Sequence, residues 1–299
     1  MNITTLNIGG VKFNMALPDD FIIHEREAAY REFFSQDFKN SGTVNIDVCL
    51  ELDKKMDMSS YTLICDTRQA WLMYRKGSAY CLVLQPRSFS HPHSVVQFDL
   101  EKPRLTVYPG GKYITHKKTV TKMTNPLHYP LDQLLLMYIL ARRQGVLLHA
   151  AGINISGLGF VFPGSSGAGK STLVRQFMPQ YRNLILSDDR IIIRNIKNRY
   201  QLFGTPWPGE AGNALNQSLN LNAFFFLNKA TANRITELKS QQAMEKLLHV
   251  TSIPWFDANV LPDLLESCQQ LTTNIPCYDL FFKPDTGIRT FLQELKISC

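Results

Sequence analysis

Short runs of alternating apolar and polar residues, separated by turn residues, fill the first 120 positions of the chain. This pattern is typical of strands that bury one face. The predicted strands cover residues 2–8, 11–14, 43–50, 61–65, 70–74, 79–84, 94–99 and 104–108. Their spacing indicates an antiparallel sheet. One short helix is also predicted, over residues 25–34. We therefore predict a β-rich α+β domain over residues 1–120, with residues 115–124 belonging to the connection that follows it.

From residue 126 the pattern changes to apolar strands that alternate with helical stripes. The first helix begins near Pro130, which suits an initial turn. The predicted strands cover residues 146–155, 158–162, 183–187, 190–195, 200–203, 221–227 and 277–282, and further helices cover 241–249, 262–271 and 285–295. Alternation of this kind favours an α/β domain, a mixed sheet with flanking helices, over residues 126–299.

A glycine-rich segment, GSSGAGKST, lies between the predicted strand at 158–162 and a helical pattern that runs to about residue 177. It fits the phosphate-binding pattern G-x-x-x-x-G-K-[ST]. Its members are Gly164, Ser165, Ser166, Gly167, Ala168, Gly169, Lys170, Ser171 and Thr172. Glycines let the backbone N–H groups converge on phosphate oxygens, and a helix N-terminus adds further donors. We expect Lys170 to reach the β- and γ-phosphates of a nucleotide and Ser171 to bind its Mg²⁺.

Two adjacent acids, Asp188 and Asp189, end the apolar strand that follows the glycine segment. Successive strand residues point to opposite sides, so the two carboxylates are expected to divide the work. One would bind Mg²⁺ together with Ser171, and the other would act as general base towards an acceptor hydroxyl. The sequence leaves the assignment open, and a solvated turn or helix cap is the alternative.

Four other residues are candidates for the same site. His149 lies on an apolar strand, as core histidines do, and it is also placed to contact phosphate or assist the base. Glu210 follows a rigid proline-rich turn and is a candidate contact for Mg²⁺ or substrate, or a structural residue. Arg190 and Arg194 are candidates for stabilising the migrating charge.

Residues 148–193 resemble the catalytic domain of the HPr serine kinase/phosphorylase family, which is related to the nucleotide-binding part of ATP-dependent phosphoenolpyruvate carboxykinase. The resemblance rests on His149, the hairpin ending in Gly159, the glycine segment and the Asp188–Asp189 pair. It implies a P-loop kinase fold, ATP and Mg²⁺ as cofactors, and a place for His149 and both acids at the phosphoryl-transfer site. Segments 204–210 and 275–280 are similar to the broader HPr-kinase-related group.

The chain also departs from that family at defined positions. Thr172 stands where the family has glutamate, and the family's E-[IV]-R-G-x-G segment is absent. These departures argue against HPr as the acceptor. We therefore expect an ATP- and Mg-dependent kinase that phosphorylates Ser or Thr of a small protein or peptide, with the first domain selecting the acceptor. A kinase of a small-molecule hydroxyl and a non-catalytic ATP-dependent binding or assembly factor are the alternatives.

Composition indicates the class of protein, the charge of its ligands and its expected location. The chain has 299 residues, of which 44% are hydrophobic and 19% charged, and this suits a globular protein of about two domains. The net charge of +7 is modest and favours anionic ligands such as nucleotides rather than nucleic acid. No apolar run reaches membrane-spanning length, no signal peptide is visible, and the six cysteines lack C-x-x-C spacing. We expect a cytoplasmic protein without structural zinc; HPr kinases are oligomers, and oligomerisation stays open here.

Overall fold

The computed structural model describes residues 2–25, 27–34, 42–52, 54–68, 70–85, 94–110, 114–117, 120–165, 167–178 and 180–295. The chain has a mixed α/β fold with large mixed sheets and few helices. Its contacts divide it into two units, Met1–Leu135 and Leu136–Cys299. The division falls inside a helix, Leu131–Ala141, downstream of the start of the predicted second domain.

The first unit is dominated by strands. They are β1 (Asn2–Ile8), β2 (Val11–Leu17), β3 (Phe21–His24), β4 (Val44–Leu50), β5 (Thr62–Asp66), β6 (Trp71–Lys76), β7 (Ala79–Leu84), β8 (Ser94–Asp99), β9 (Arg104–Pro109), β10 (Ile114–Lys117) and β11 (Val120–Thr124). Eight of them form one sheet in the order β1-β2-β4-β9-β8-β7-β6-β5. The expectation of an antiparallel sheet is wrong, because β4 runs parallel to both β2 and β9. Parallel neighbours need long crossover connections, which periodicity along single strands does not reveal.

Two further expectations for this unit are corrected. Residues 115–124 do not serve as a plain connection, since β11 and most of β10 lie within them and form a three-stranded sheet with β3. In β11, Thr121 and Met123 are buried while Lys122 and Thr124 are partly exposed, a strand pattern that the polar composition obscures. The helix expected over 25–34 is reduced to a 3-10 turn, Ala28–Tyr30, and a single turn, α1 (Arg31–Phe34).

The second unit follows the alternation that the sequence predicts. After α2 (Leu131–Ala141) come β12 (Gly145–Ile155), β13 (Leu158–Pro163), α3 (Lys170–Arg175), β14 (Ile185–Ser187), β15 (Arg190–Ile196), β16 (Arg199–Phe203), β17 (Ser218–Lys229), β18 (Arg234–Glu237), α4 (Ser240–Leu248), α5 (Leu261–Asn274), β19 (Cys277–Phe282) and α6 (Gly287–Glu294). The predicted strands and helices of this unit are confirmed to within a few residues. The edge strand β18 is the exception, because its mostly exposed residues give no apolar signal.

The sheet of this unit brings several strand ends to one edge. Its order is β13-β12-β15-β16-β17-β19-β18, and β13 also pairs with β17. Strands β13, β17 and β19 are mutually parallel. Strand β14 runs in the same direction, because β13 and β14 are both antiparallel to β12. The carboxyl ends of β13, β14, β17 and β19 therefore meet at the same edge, where ligands bind in many α/β proteins.

An aromatic core supports this edge. The Phe225 ring lies 5.3 Å from Phe160 and 5.6 Å from Phe162, measured between centroids. Leu173 and Val174 of α3 pack into the same buried cluster, as do residues of α6. The short helix that follows the glycine segment is thus anchored by its apolar face. None of the described helices is long and apolar enough to cross a membrane.

Candidate functional site

The glycine segment, residues 164–172, turns sharply from the end of β13 into α3. The Gly164 N–H donates to the His149 carbonyl at 3.2 Å, which ties the segment to β12. A Cβ on Gly164 would lie 2.7 Å from the Cβ of Ala168, too close for any other residue. Gly167 and Gly169 have φ angles of 82° and 105°, which L residues rarely adopt. The sequence's three glycines are therefore required by the local conformation, while Ser166 lies outside the described residues.

Lys170 is held over this segment rather than extended into solvent. Its side chain is buried, and Nζ donates to the carbonyl oxygens of Gly164 at 2.6 Å and Ser165 at 3.2 Å. Burial lowers the pKa of Lys170, and the negative charge of Asp189 opposes that shift. The result is a cation fixed at the start of α3, beside Ser171 and Thr172.

Asp188 is buried and serves as an acceptor for backbone N–H groups. Its Oδ1 accepts from Gly209 N at 3.0 Å and from Asn213 N at 3.1 Å, and its Oδ2 accepts from Ala211 N at 2.7 Å. The side chain is 2% exposed. These three bonds fix residues 209–213, which we call the acid-bound loop, against the end of β14.

Asp189 faces the opposite way and pairs with His149. The His149 Nε2 lies 2.8 Å from Asp189 Oδ1, and Arg190 Nε lies 3.5 Å from Oδ2. Burial by itself would raise the pKa of Asp189. The hydrogen bond from His149 and the charges of Arg190, His149 and Lys170 outweigh it, so the pKa lies below its ordinary value. Asp189 is therefore an ionised, partly exposed carboxylate at neutral pH.

These groups surround one cavity of about 440 Å³. It is lined by His149, Gly167, Gly169, Lys170, Ser171, Thr172, Arg175, Asp188, Asp189, Gly209, Glu210 and Lys229. At its mouth, Arg175 Nη2 lies 3.5 Å from Glu210 Oε2, and both side chains are largely exposed. Folding thus brings together the glycine segment, both acids, His149 and Glu210, which are up to 61 positions apart in the chain (His149 to Glu210).

Sequence reasoning missed three residues of this cavity, Arg175, Gly209 and Lys229. Lys229 ends β17, a strand parallel to β13, so its position at the sheet edge follows from the topology. Arg175 is five residues after Lys170 on α3. The signal for Lys229 in the sequence is a basic residue at the end of an apolar strand.

Arg194 does not lie with this group. It lies on β15, where it pairs with Gly145 of β12, and it is four residues beyond Arg190, which corresponds to roughly 13 Å along a strand. Arg194 is buried, and burial together with nearby Arg143 lowers its pKa to about 10. Its place within the sheet separates it from the cavity lining.

The described residues contain no group of three or more His, Cys, Asp or Glu side chains arranged to hold a metal ion. Mg²⁺ does not need such a cage, because it commonly takes one or two protein oxygens together with phosphate and water oxygens. Ser171 and Asp189, both in the cavity lining, provide hard oxygen atoms suited to that arrangement, whereas the oxygens of Asp188 already accept backbone N–H groups.

Comparison with known protein families identifies a match over most of the second unit. The sequence profile of the SynChlorMet cassette protein ScmC family matches residues 127–283, more than half of the 299 residues. The chain belongs to this family. The ScmC match contains every residue that lines the cavity, from His149 to Lys229. No curated protein matches this ScmC-family chain.

Proposed function

We propose that this ScmC-family protein is an ATP- and Mg-dependent kinase that transfers a phosphoryl group to a hydroxyl. The observation that carries the proposal is the Asp189–His149 pair, joined at 2.8 Å, in the same cavity as Lys170 and the glycine segment. A phosphate cradle alone serves many nucleotide-binding proteins. A cradle beside an ionised carboxylate backed by histidine has the groups that phosphoryl transfer requires.

The donor side of the cavity fits a nucleotide triphosphate. Gly167 and Gly169 line the cavity without side chains, which leaves their backbone open to phosphate oxygens. Lys170 is a fixed cation at that wall, and Lys229 adds a second one. Bound Mg²⁺ would neutralise phosphate charge, with the Ser171 hydroxyl as a protein oxygen ligand. This arrangement supports a P-loop domain of the HPr-kinase kind, with ATP as donor.

The acceptor side supplies the base. Asp189 accepts the proton of the acceptor hydroxyl, and the acceptor oxygen forms a bond to the γ-phosphorus of ATP. The bond from that phosphorus to the β–γ bridging oxygen breaks, and ADP leaves with the electron pair. His149 holds Asp189 in place through their contact, and the proton that Asp189 gains then passes to solvent. Lys170 and Arg190 stabilise the negative charge that moves during transfer.

The acceptor is proposed to be a serine or threonine of a small protein or peptide. The family's description places its members in a cassette, so the other proteins of that cassette are the first acceptors to test. The first unit would select the acceptor, in a cytoplasmic setting.

A direct test uses ATP labelled in the γ-phosphate. The protein is incubated with Mg²⁺, labelled ATP and each small protein or peptide of the cassette, and the label is followed. We expect transfer to one acceptor at a serine or threonine, lost in Asp189→Asn and retained in Asp279→Asn, which changes a carboxylate outside the cavity. ATP binding without transfer to any of these acceptors contradicts the kinase proposal.

One observation favours the second candidate, an ATP-dependent binding or assembly factor. Both carboxylate oxygens of Asp188 accept hydrogen bonds from backbone N–H groups, so Asp189 is the more accessible acid. One acid is sufficient to help hold Mg²⁺ without any transfer. In that case Asp189→Asn would weaken MgATP binding, and no acceptor would become labelled.

A further inference from the structure

The adjacent acids Asp188 and Asp189 have opposite environments. Asp189 is a third exposed and contacts His149 and Arg190. Asp188 is 2% exposed, and three backbone N–H groups from a distant part of the chain converge on it. A carboxylate whose oxygens are already used by N–H donors has little capacity left for a metal ion or a proton.

Asp188 supplies three of the hydrogen bonds that attach the acid-bound loop to the rest of the chain, and Arg182 Nη2 adds another by donating to Gly212 O at 2.9 Å. Beyond Asp188, the nearby backbone ties are the bridge between Ser187 and Ala214 and the bond from Leu215 N to Leu186 O. Both lie after the loop. Within residues 209–213, the Gly212 N–H donates back to Gly209 O, which closes the turn without attaching it to the sheet.

The fit between Asp188 and the loop is close. A Cβ on Gly209 would lie 2.9 Å from Asp188 Oδ2 and 3.0 Å from the Asp189 Cβ. Glycine is therefore needed where the loop passes over the acid pair. Glu210, the next residue, lines the same cavity as the glycine segment, and its Oε2 lies 3.5 Å from Arg175 Nη2.

We propose that Asp188 is a positioning residue: it fixes the acid-bound loop as the acceptor-side wall of the cavity, and it acts as neither base nor Mg²⁺ ligand. The part of this proposal that concerns the acceptor rests on the proposed kinase function. The part that concerns the loop stands on the hydrogen bonds alone, so the two parts can fail separately.

The loop is tested by backbone amide hydrogen exchange in Asp188→Asn. The carboxamide keeps the size of the side chain but places an NH₂ group against at least one N–H donor, which removes that bond. We expect the amides of Gly209, Ala211 and Asn213 to exchange at least about tenfold faster, through easier local opening. Asp189→Asn and Asp279→Asn should leave these amides unchanged. Unchanged exchange in Asp188→Asn would overturn the positioning role.

The catalytic part is tested by kinetics with MgATP and the peptide that becomes labelled in the transfer experiment. Asp188→Asn should raise the KM for that peptide about tenfold, with kcat, MgATP affinity and the Mg²⁺ dependence within about twofold. Asp189→Asn should instead lower kcat. A large loss of kcat or a shifted Mg²⁺ dependence in Asp188→Asn, with loop amides still protected, would show that Asp188 is a base or metal ligand.

If no peptide becomes labelled, MgATP affinity and amide exchange still decide the loop part. Faster exchange at the three amides with unchanged MgATP affinity then supports the positioning role while the kinase proposal fails. Weakened MgATP binding with protected amides contradicts the positioning role, because it would place Asp188 on the nucleotide side.

Discussion

The glycine segment and the acid-bound loop form two walls of the cavity, and they reach their conformations in different ways. The glycine segment is shaped by its own residues, through the positive φ angles of Gly167 and Gly169 and the close approach of Gly164 to Ala168. The acid-bound loop is shaped by a residue more than twenty positions away, since Asp188 accepts three of its N–H groups. The conformation of the glycine segment is therefore determined by its own residues, whereas the conformation of the acid-bound loop is determined by the tertiary fold.

Under the proposed kinase function, this difference would separate recognition of a donor from recognition of an acceptor. A phosphate cradle made of local glycines can persist in many proteins with different partners. A wall held mainly by one buried carboxylate can change length or sequence as long as its N–H groups still reach that carboxylate. The donor side is therefore expected to be general, and the acceptor side specific.

The largest expected effect lies between the walls, at Asp189. Replacing it by asparagine removes the base and the partner of His149, and we expect the rate of phosphoryl transfer to fall about 10²- to 10⁴-fold. Single-turnover transfer from labelled ATP measures this loss. A reduction of less than about tenfold would contradict the role of Asp189 as base.

Removal of the hydrogen bonds between Asp188 and the acid-bound loop should have the next largest effect, which is a loss of stability. Asp188→Ala leaves the N–H groups of Gly209, Ala211 and Asn213 without their acceptor, and we expect a loss on the order of 3 kcal/mol in the free energy of unfolding. Urea denaturation measures it, with Asp279→Ala as the matched carboxylate outside the cavity. Equal losses in the two variants would show that the loop has no special dependence on Asp188.

Substitutions of Gly167 and Gly169 test the conformation of the glycine segment. Gly169→Ala meets a φ of 105° and the Phe282 ring at 3.1 Å, whereas Gly167→Ala meets a φ of 82° and no atom within 4 Å. We expect a cost of about 1 to 2 kcal/mol from the φ strain in each, with a larger loss of stability and MgATP affinity in Gly169→Ala. Thermal unfolding and nucleotide titration compare the pair, and the reverse order would refute this account.

The pH dependence of Asp189 ionisation tests the pairing of Asp189 with His149. Its folded pKa lies below the ordinary value of 3.8, so its ionised form stabilises the fold above that value and this contribution is lost as pH falls through the folded pKa. His149→Ala removes the hydrogen bond, and the pKa of Asp189 should rise. Carbon NMR of the Asp189 carboxylate detects the change, and His249→Ala, an exposed histidine outside the cavity lining, should not produce it.

The smallest effect is expected where the two walls meet. Arg175 and Glu210 lie 3.5 Å apart and are mostly exposed, so their coupling should be below about 1 kcal/mol and should weaken with salt. A double-mutant cycle of Arg175→Ala and Glu210→Gln, followed by urea unfolding, measures it. A larger coupling would mean that the two walls form one unit.

Much of the second unit was predictable because its signals are local. Apolar runs marked β12, β13 and β19, and the spacing of glycines with Lys170 marked the turn into α3. The first unit was less predictable, because the parallel pairing of β4 with β2 and β9 depends on chain crossovers. Strands β10 and β11 were hidden by a polar composition that resembles a connection.

The sequence by itself determined the glycine segment and the order of strands and helices around it, because backbone dihedral limits and burial periodicity act over a few residues. It also identified Asp188 and Asp189 as a pair. Only the tertiary structure decided which acid is buried beneath the loop at 209–213 and which one pairs with His149. That choice depends on hydrogen bonds between segments far apart in the chain, and no local pattern encodes those partners.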